Sequence, residues 1–389
     1  MYERILRRRP GDPDALNFLG MLVFQQGDHA SGIALLRRSV KCAPANPHAW
    51  LNLGNMLMGV GESESAAGVY ERATDLAPDL WQAWFNRAIC LRRLRRLEEA
   101  VACLQTTIRL NPEHDVAYEY LGVVLYRMGK LEERAELYGN WVKYNPDNPT
   151  ARHMYAAASG DAMPDRASDD YVRRTFDHSA DSFDDNLHDL GYRAPQLVAE
   201  ALERHSVVAG VAGKPDVLDA GAGTGLCGPL LRDRAGTLVG VDLSPAMLAK
   251  ARALCLYDEL VVMELSEFMR SRPAAFDVVV SADTLVYFGA LEEALAAARA
   301  CLRPGGLLTF TVERWETPAA DARFSMGPHG RYMHAATYVE AALAAAGFEL
   351  TEISPAILRS ELGTDVHGFL VVARQSDDVT PAGSAAVLP

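Results

Sequence analysis

The residues with the clearest chemistry lie in "VLDAGAGTGLCG", Val217–Gly228. Gly221, Gly223 and Gly225 follow an apolar run. Without side chains they let the backbone turn tightly and approach a ligand closely. Asp219 stands two residues before Gly221, and Asp242 stands 21 residues after it, closing the apolar run "LVGVD". An acid at that second position accepts hydrogen bonds from ribose hydroxyls. Two ligand classes remain open, because Gly223, Gly225 and Gly228 also satisfy the G-x-G-x-x-G spacing of dinucleotide sites. A carboxylate at Asp219 would face a pyrophosphate and repel it, whereas it suits the ammonium group of a phosphate-free nucleoside carrying an amino acid. Asp242 fits either ligand, so Asp219 is the discriminating residue.

The elements that must hold these residues are legible as apolar runs alternating with helical patterns. Strands are expected at 215–220, 237–242, 259–264, 276–281 and 306–312, with a final pair near 348–357 and 366–374. Such alternation implies a seven-stranded, mainly parallel sheet covered on both faces. Its ligand would sit beyond the carboxyl ends of the strands, where strand order reverses.

"VLDAGAGTG" followed by "GVDLSPAMLAKAR" resembles the class I S-adenosylmethionine-dependent methyltransferases, over about residues 171–375. The resemblance implies a Rossmann-like fold and S-adenosylmethionine as cofactor. It implies that Asp219 binds the methionine amine, directly or through water, and that Gly221 and Gly223 line the methionine. Asp242 would hold the ribose, with Leu243 and Met247 packed on the adenine. Glu264, followed by Leu265, stands where the family usually has Asp, and would accept from the adenine amino group. In "FDVVVSADTLVYFGAL", Ala282 would lie against the cofactor, with Asp283 and Tyr287 toward the acceptor. The segment "YVRRTFDHSADSFDDNLHDLGYRAP" resembles the N-terminal cover of several small-molecule methyltransferases, with Phe176, Phe183 and Tyr192 placed to exclude water. Methyl transfer needs a general base only when the acceptor must lose a proton. The candidates are Asp283, Tyr287, His329 and His334, with His178 and His188 behind them. Arg331 is a candidate for an acceptor carboxylate.

A second architecture precedes this one. Pro10, Pro44, Pro78, Pro112 and Pro146 recur at intervals of 34 residues, and Gly20, Gly54, Ala88 and Gly122 keep the same period. So do Leu36, Tyr70, Leu104 and Tyr138. This is the signature of stacked helix pairs. It resembles the tetratricopeptide repeat (TPR) family, with copies at about 13–46, 47–80, 81–114 and 115–148, half a copy before them and a capping helix at 149–158. The intra-repeat turn is Gly27, Gly61 and Gly129, with Arg95 in the third copy. The resemblance implies a protein or peptide partner on the concave face, where Asn52, Asn55 and Asn86 lie near Asn17. The run Arg92, Arg93, Arg95, Arg96 is a candidate docking point for an acidic segment.

The expected organisation is therefore an all-α TPR solenoid over 1–158, a linker over 159–170, the sheet domain over 171–375 and a disordered tail over 376–389. Composition sets limits around it. The chain has 389 residues, 49% of them hydrophobic, and a net charge of -13. Residues 1–150 hold 18 basic and 18 acidic side chains, so the remaining 20 basic and 33 acidic carry the whole excess. An acidic domain repels phosphate backbones, which argues against a nucleic-acid partner. No apolar run is long enough for a membrane span. The six cysteines show no paired or metal-ligand spacing and read as free thiols in a reducing cytoplasm. Three readings stay open: a methyltransferase with a recruited acceptor, a small-molecule methyltransferase with repeats for assembly, and a non-enzymatic scaffold. A nicotinamide-dependent hydride-transfer enzyme is the remaining alternative class.

Overall fold

The computed structural model describes residues 1–160, 163–205, 213–361 and 363–376. The chain divides into two compact units, Met1–Ala158 and Ser159–Pro389.

In the first unit, helix pairs start at the same phase of the 34-residue period. They are Pro13–Gln25 with His29–Cys42, Pro47–Gly59 with Ser63–Leu76, Trp81–Arg93 with Leu97–Leu110, and Asp115–Arg127 with Leu131–Tyr144. Tyr2–Arg8 precedes them and Pro149–Ser159 follows. Pro at the first helical position and a capping Asp12 or Asn46 start the first two pairs, with each cap accepting from backbone N–H groups that would otherwise lack partners. The periodic Pro sits two residues past each second helix. Its carbonyl is then reused: Pro44 O accepts from Trp50 Nε1 at 2.9 Å, and Pro78 O from Trp84 Nε1 at 3.0 Å.

The small periodic residue has a matched partner 16 residues later in its own helix pair. A Cβ added at Gly54 would lie 2.4 Å from the Tyr70 ring, and at Gly122 it would lie 1.8 Å from the Tyr138 hydroxyl. Where the first residue is Ala88, the partner is the slimmer Leu104. Arg95, at the turn position otherwise held by glycine, takes the same left-handed backbone, with φ of 60°. The turn therefore persists without glycine, at a steric cost.

The second unit is built on one sheet of nine strands among the described residues: β1 Val217–Ala220, β2 Leu238–Asp242, β3 Glu259–Val262, β4 Phe276–Ser281, β5 Leu302–Arg314, β6 Phe324–Met326, β7 Tyr332–His334, β8 Phe348–Glu361 and β9 Thr364–Gln375. Strands β3, β2, β1, β4 and β5 lie side by side and parallel. β9 returns antiparallel against β5, and β8 pairs with β9. Seven strands were expected. The two extra ones, β6 and β7, form a short hairpin that pairs with Glu313 and Arg314 at the end of β5. They fall in "FSMGPHGRYMH", whose seven non-hydrophobic residues hide the strand pattern.

Neighbouring residues within a strand point to opposite faces, and both faces are covered. Leu218, Val239, Val279 and Leu308 pack toward Phe268, Leu295 and Val339 of three helices. Val217, Leu238, Val278 and Leu307 pack toward Val198 and Leu202 of the helix Ala194–His205. Burial on both sides explains the near-continuous apolar runs.

The expected linker behaves differently in its described part. Residues 163–168 lie along the second unit: Ala167 N donates to Tyr287 O at 2.8 Å, Gly289 N donates to Asp165 O at 2.8 Å, and the Tyr332 hydroxyl donates to Pro164 O at 2.8 Å. Residues 161 and 162 lie outside the described residues, as does the expected tail beyond Ser376. Among the described residues, no helix is long and apolar enough to cross a membrane.

The matched pairs predict opposite outcomes for two helical glycines. Gly122→Ala gains about 1 kcal/mol of helix propensity but overlaps the buried Tyr138, so thermal unfolding of the first unit should show a net loss of about 1–2 kcal/mol. Gly68, on an exposed helix face with nothing near an added Cβ, should gain about 0.5–1 kcal/mol as alanine. Arg95→Gly should raise stability by about 0.5–1 kcal/mol, since it removes a left-handed side-chain residue. An unchanged or lower midpoint for Arg95→Gly would contradict the strained turn.

Candidate active site

The carboxyl ends of the first four strands open into one cavity. Gly221–Thr224 after β1, Val241–Leu243 around the end of β2, Met263–Leu265 after β3 and Ala282–Thr284 after β4 line it. β1 lies between β2 and β4, so strand order reverses there and the loops diverge. Met247 and Tyr192 also reach the wall.

At Gly221 the backbone φ is 89°, and an added Cβ would sit 2.0 Å from Thr284 Oγ1. Only glycine fits between the β1 and β4 loops. Asp242 is held rigidly: its Oδ2 accepts from Gly223 N at 2.9 Å and its Oδ1 from Ser244 N at 2.8 Å. Burial raises its pKa despite these bonds. Glu264 caps the helix Leu265–Ser271 through Oε2, which accepts from Glu267 N at 2.8 Å, while Oε1 accepts from Arg166 at 3.2 Å. An adenine amino group would have to share Oε1 with Arg166.

Asp219 departs from its expected position. It is fully buried beneath the glycine turn and is not among the residues lining the cavity. Its Oδ2 accepts from the Tyr257 hydroxyl at 2.7 Å, and the buried Cys227 thiol lies against the same carboxylate. Burial pushes its pKa up to about 7, with the Tyr257 bond opposing the rise. A carboxylate turned inward and half neutral near pH 7 does not screen ligands at the cavity mouth. The discrimination falls instead to the wall itself. Asp169, Asp242, Glu264, Asp283 and Glu361 line it against Arg166, Arg331 and Arg359, a formal net of -2 from five acids and three bases. Each of these arginines is already bonded to carboxylates. A phosphate-free, cationic nucleoside fits such a wall better than a diphosphate.

The cover is formed by the helices Asp169–Ser179 and Phe183–Asp189. Phe176 meets Phe183 and Tyr287 edge to face, with centroids 5.8 Å and 5.4 Å apart. Phe183, Leu187 and Leu190 extend the apolar roof. Polar latches tie this roof to the loops below. Ser244 Oγ donates to Asp177 at 2.6 Å, and Thr224 Oγ1 donates to Asp184 at 2.5 Å. The roof then joins β8, with Arg193 N donating to Leu358 O at 2.8 Å.

At the far end of the cavity stands an ion cluster that the sequence reading missed. Arg359, 3% exposed, donates to Asp283 Oδ2 at 2.6 Å, to Glu361 Oε1 at 2.6 Å and to Glu313. Arg331 donates to Glu313 and Glu361, each at 2.6 Å. Burial would raise Glu361, but the two guanidinium charges bring its pKa down to about 2. Asp283 has a left-handed φ of 56°, and burial raises its pKa against the pull of Arg359. Burial pushes Tyr287 up to about 12. The only linear signal for this cluster was a set of charges at the ends of apolar runs ("TFTVE", "AILRSE"), and pairing across three strands is invisible in one dimension.

Of the candidate bases, Asp283 and Tyr287 line the cavity and the histidines do not. His334 is buried in β7, with Nε2 2.9 Å from Phe288 O and 3.2 Å from Gly289 O. Two carbonyl acceptors require a proton on that nitrogen, and burial lowers the pKa to about 4. His334 is thus a packed, neutral donor that ties the hairpin to the β4 loop. His329 stands outside the wall, 3.6 Å from Glu361. In the first unit, the asparagines bond to one another: Asn52 donates to Asn17 at 3.1 Å, while Asn55 Oδ1 accepts from Asn86 and from the Tyr70 hydroxyl, each at 2.8 Å. Among the described residues there is no group of side chains able to hold a metal ion.

A family model described as a methyltransferase domain matches residues 217–306, and models described as tetratricopeptide repeats match 1–47 and 53–120. The chain joins TPR repeats to an S-adenosylmethionine-dependent methyltransferase domain. It is 32% identical over 171 residues to human Methyltransferase-like protein 27, covering 42% of this chain and 64% of that one. It is 32% identical over 151 residues to the Malonyl-[acyl-carrier protein] O-methyltransferase of Geobacter sulfurreducens, covering 35% and 57%. The chain spans between 31% and 64% of the length of these and similar relatives. Among solved structures, the Burkholderia thailandensis 1,6-didemethyltoxoflavin-N1-methyltransferase, with bound S-adenosylhomocysteine, overlays at a TM-score of 0.43 with 23% identity, covering 53% of this chain and 88% of that one.

The inward Asp219 yields a pH test. The folded chain keeps a proton that the unfolded chain releases near its ordinary value of 3.8. The stability of the natural chain relative to Asp219→Asn should therefore fall as pH rises from about 4 to about 7 and level off above, by a few kcal/mol at most. Urea midpoints of both proteins across this range measure it, and a difference independent of pH would contradict the buried, protonated state.

Proposed function

We propose that the chain transfers a methyl group from S-adenosylmethionine to an oxygen or nitrogen acceptor, and that its repeats dock a polypeptide, a polypeptide-carried substrate or a partner protein. The observation that carries the proposal is the convergence of Gly221–Gly223, Asp242 and Glu264 on one net-acidic wall, with Asp283 and Tyr287 at its far end. Asp242 holds the ribose hydroxyls, Leu243 and Met247 flank the adenine, and the backbone at Gly221 and Gly223 takes the methionine. When bound, the cofactor supplies a methyl group already activated by a sulfonium, so the protein's task is alignment and exclusion of water. Phe176 and Phe183 close the roof. Asp283 takes the acceptor's proton where one must leave. Asp219, buried beside Tyr257, stiffens the floor of the glycine turn and is one step removed from the methionine amine.

A polypeptide-carried acceptor is in keeping with the carrier protein, though not with the malonyl carboxylate, in one relative's name. A free small molecule, with the repeats serving assembly with other enzymes, is the second reading, and the enclosure of the cavity beneath an aromatic roof favours it. Free thiols at all six cysteines suit a reducing, cytoplasmic setting.

Calorimetry on the full chain tests the proposal. S-adenosylmethionine and S-adenosylhomocysteine should bind and NAD should not. Asp242→Ala should weaken cofactor binding by about 10- to 100-fold, the loss of charge-assisted hydrogen bonds. Asn86→Ala should leave cofactor binding unchanged and raise only the KM of a recruited acceptor. NAD binding alone would overturn the assignment.

A further inference from the structure

Resting on the methyl-transfer reading, we infer that the acceptor is a group that donates a hydrogen bond and carries no negative charge, received by Asp283 Oδ1, and that a carboxylate or phosphate acceptor is excluded. Three observations carry this.

The first is the state of Asp283. Its side chain is fixed at one oxygen only. Oδ2 takes the Arg359 bond, while Oδ1 is buried without a partner in a residue that lines the cavity. Its backbone is pinned as well, with Asp283 N donating to Thr311 Oγ1 at 2.8 Å in a left-handed conformation. A buried carboxylate oxygen without a partner is costly, and Asp283 belongs to the cavity wall, where a small side-chain adjustment would offer Oδ1 to a bound donor.

The second is charge. Arg331 and Arg359 face Asp283, Glu313 and Glu361, so the cluster carries two positive charges against three negative ones. Arg359 spends its ε nitrogen and both terminal nitrogens on these carboxylates. Arg331, the candidate for an acceptor carboxylate, is likewise bonded to Glu313 and Glu361, and an anion entering here would meet a net negative site.

The third is the surround. Tyr192 and Tyr287 both lie within the field of Asp283, and Phe176 packs on Tyr287. A flat apolar body bearing one hydroxyl or amine suits this end of the cavity.

Three probes that share a ring and differ in their polar group test the inference on the full chain saturated with S-adenosylhomocysteine: phenol, benzylamine and benzoate. Ligand-observed NMR titrations at pH 7.5 should rank phenol and benzylamine about tenfold or more above benzoate. In Asp283→Asn, which removes the extra negative charge and offers an amide N–H, the gap over benzoate should shrink to about threefold or less. Benzoate binding as tightly as phenol to the natural chain, no binding by any probe, or a preference unchanged in Asp283→Asn would each overturn the inference. Binding of S-adenosylhomocysteine is measured in the same samples. Its absence from the natural chain would overturn the methyl-transfer reading itself, a result separable from a wrong order of probes.

Discussion

A parallel sheet cannot reverse its strand order without leaving a gap between the loops on either side of the reversal. In this chain that constraint acts where β1 lies between β2 and β4. Everything chemical in the second unit is placed by it. The glycine turn must bend away from β4 at once, and Gly221 is where it does so, with Thr284 in the space a side chain would need. The same divergence brings the ends of β2 and β3 to the rim, so Asp242 and Glu264 arrive on one wall without any long-range design.

The gap is then furnished by charges that are nearly all spoken for. Asp242 is braced by two backbone donors, Glu264 by a helix start and Arg166, and Arg359 by three carboxylates. Burying ions is expensive unless each is bonded. The expense is tolerated here because it leaves a site rigid in geometry and acidic overall, with one carboxylate oxygen of Asp283 still unmet. Asp219 follows a different route: burial raises its pKa to about 7, so below neutral pH it holds a proton in place of a charge.

How far the sequence foretold this depends on whether a feature is periodic or spatial. Proline, small-residue and aromatic positions at intervals of 34 made the first unit legible nearly helix by helix, and two-sided burial made the central strands legible as apolar runs. The wall residues Gly221, Asp242, Glu264 and Ala282 were legible because each sits at the end of a strand. The hairpin β6–β7 was not, because each of its strands is only three residues long and the two flank the turn-like run Gly-Pro-His-Gly-Arg. The Arg359 cluster was not, because Asp283, Glu313 and Arg359 are far apart in the chain and meet only through β4, β5 and β8. The direction of Asp219 was misjudged for a simpler reason: residue 219 lies within β1, and alternation along that strand turns its side chain under the turn toward Tyr257.

The pairing of Gly20 with Leu36, Gly54 with Tyr70, Ala88 with Leu104 and Gly122 with Tyr138 has a consequence for ancestry. Each match is closed inside one 34-residue module. A duplication or deletion of that whole module carries both halves of the fit together and leaves no neighbour with an unfilled or overfilled space. A crossover within a module, by contrast, would set the Tyr of one copy against the Ala of another. Such an array can change length freely across lineages while the interior of each unit stays locked.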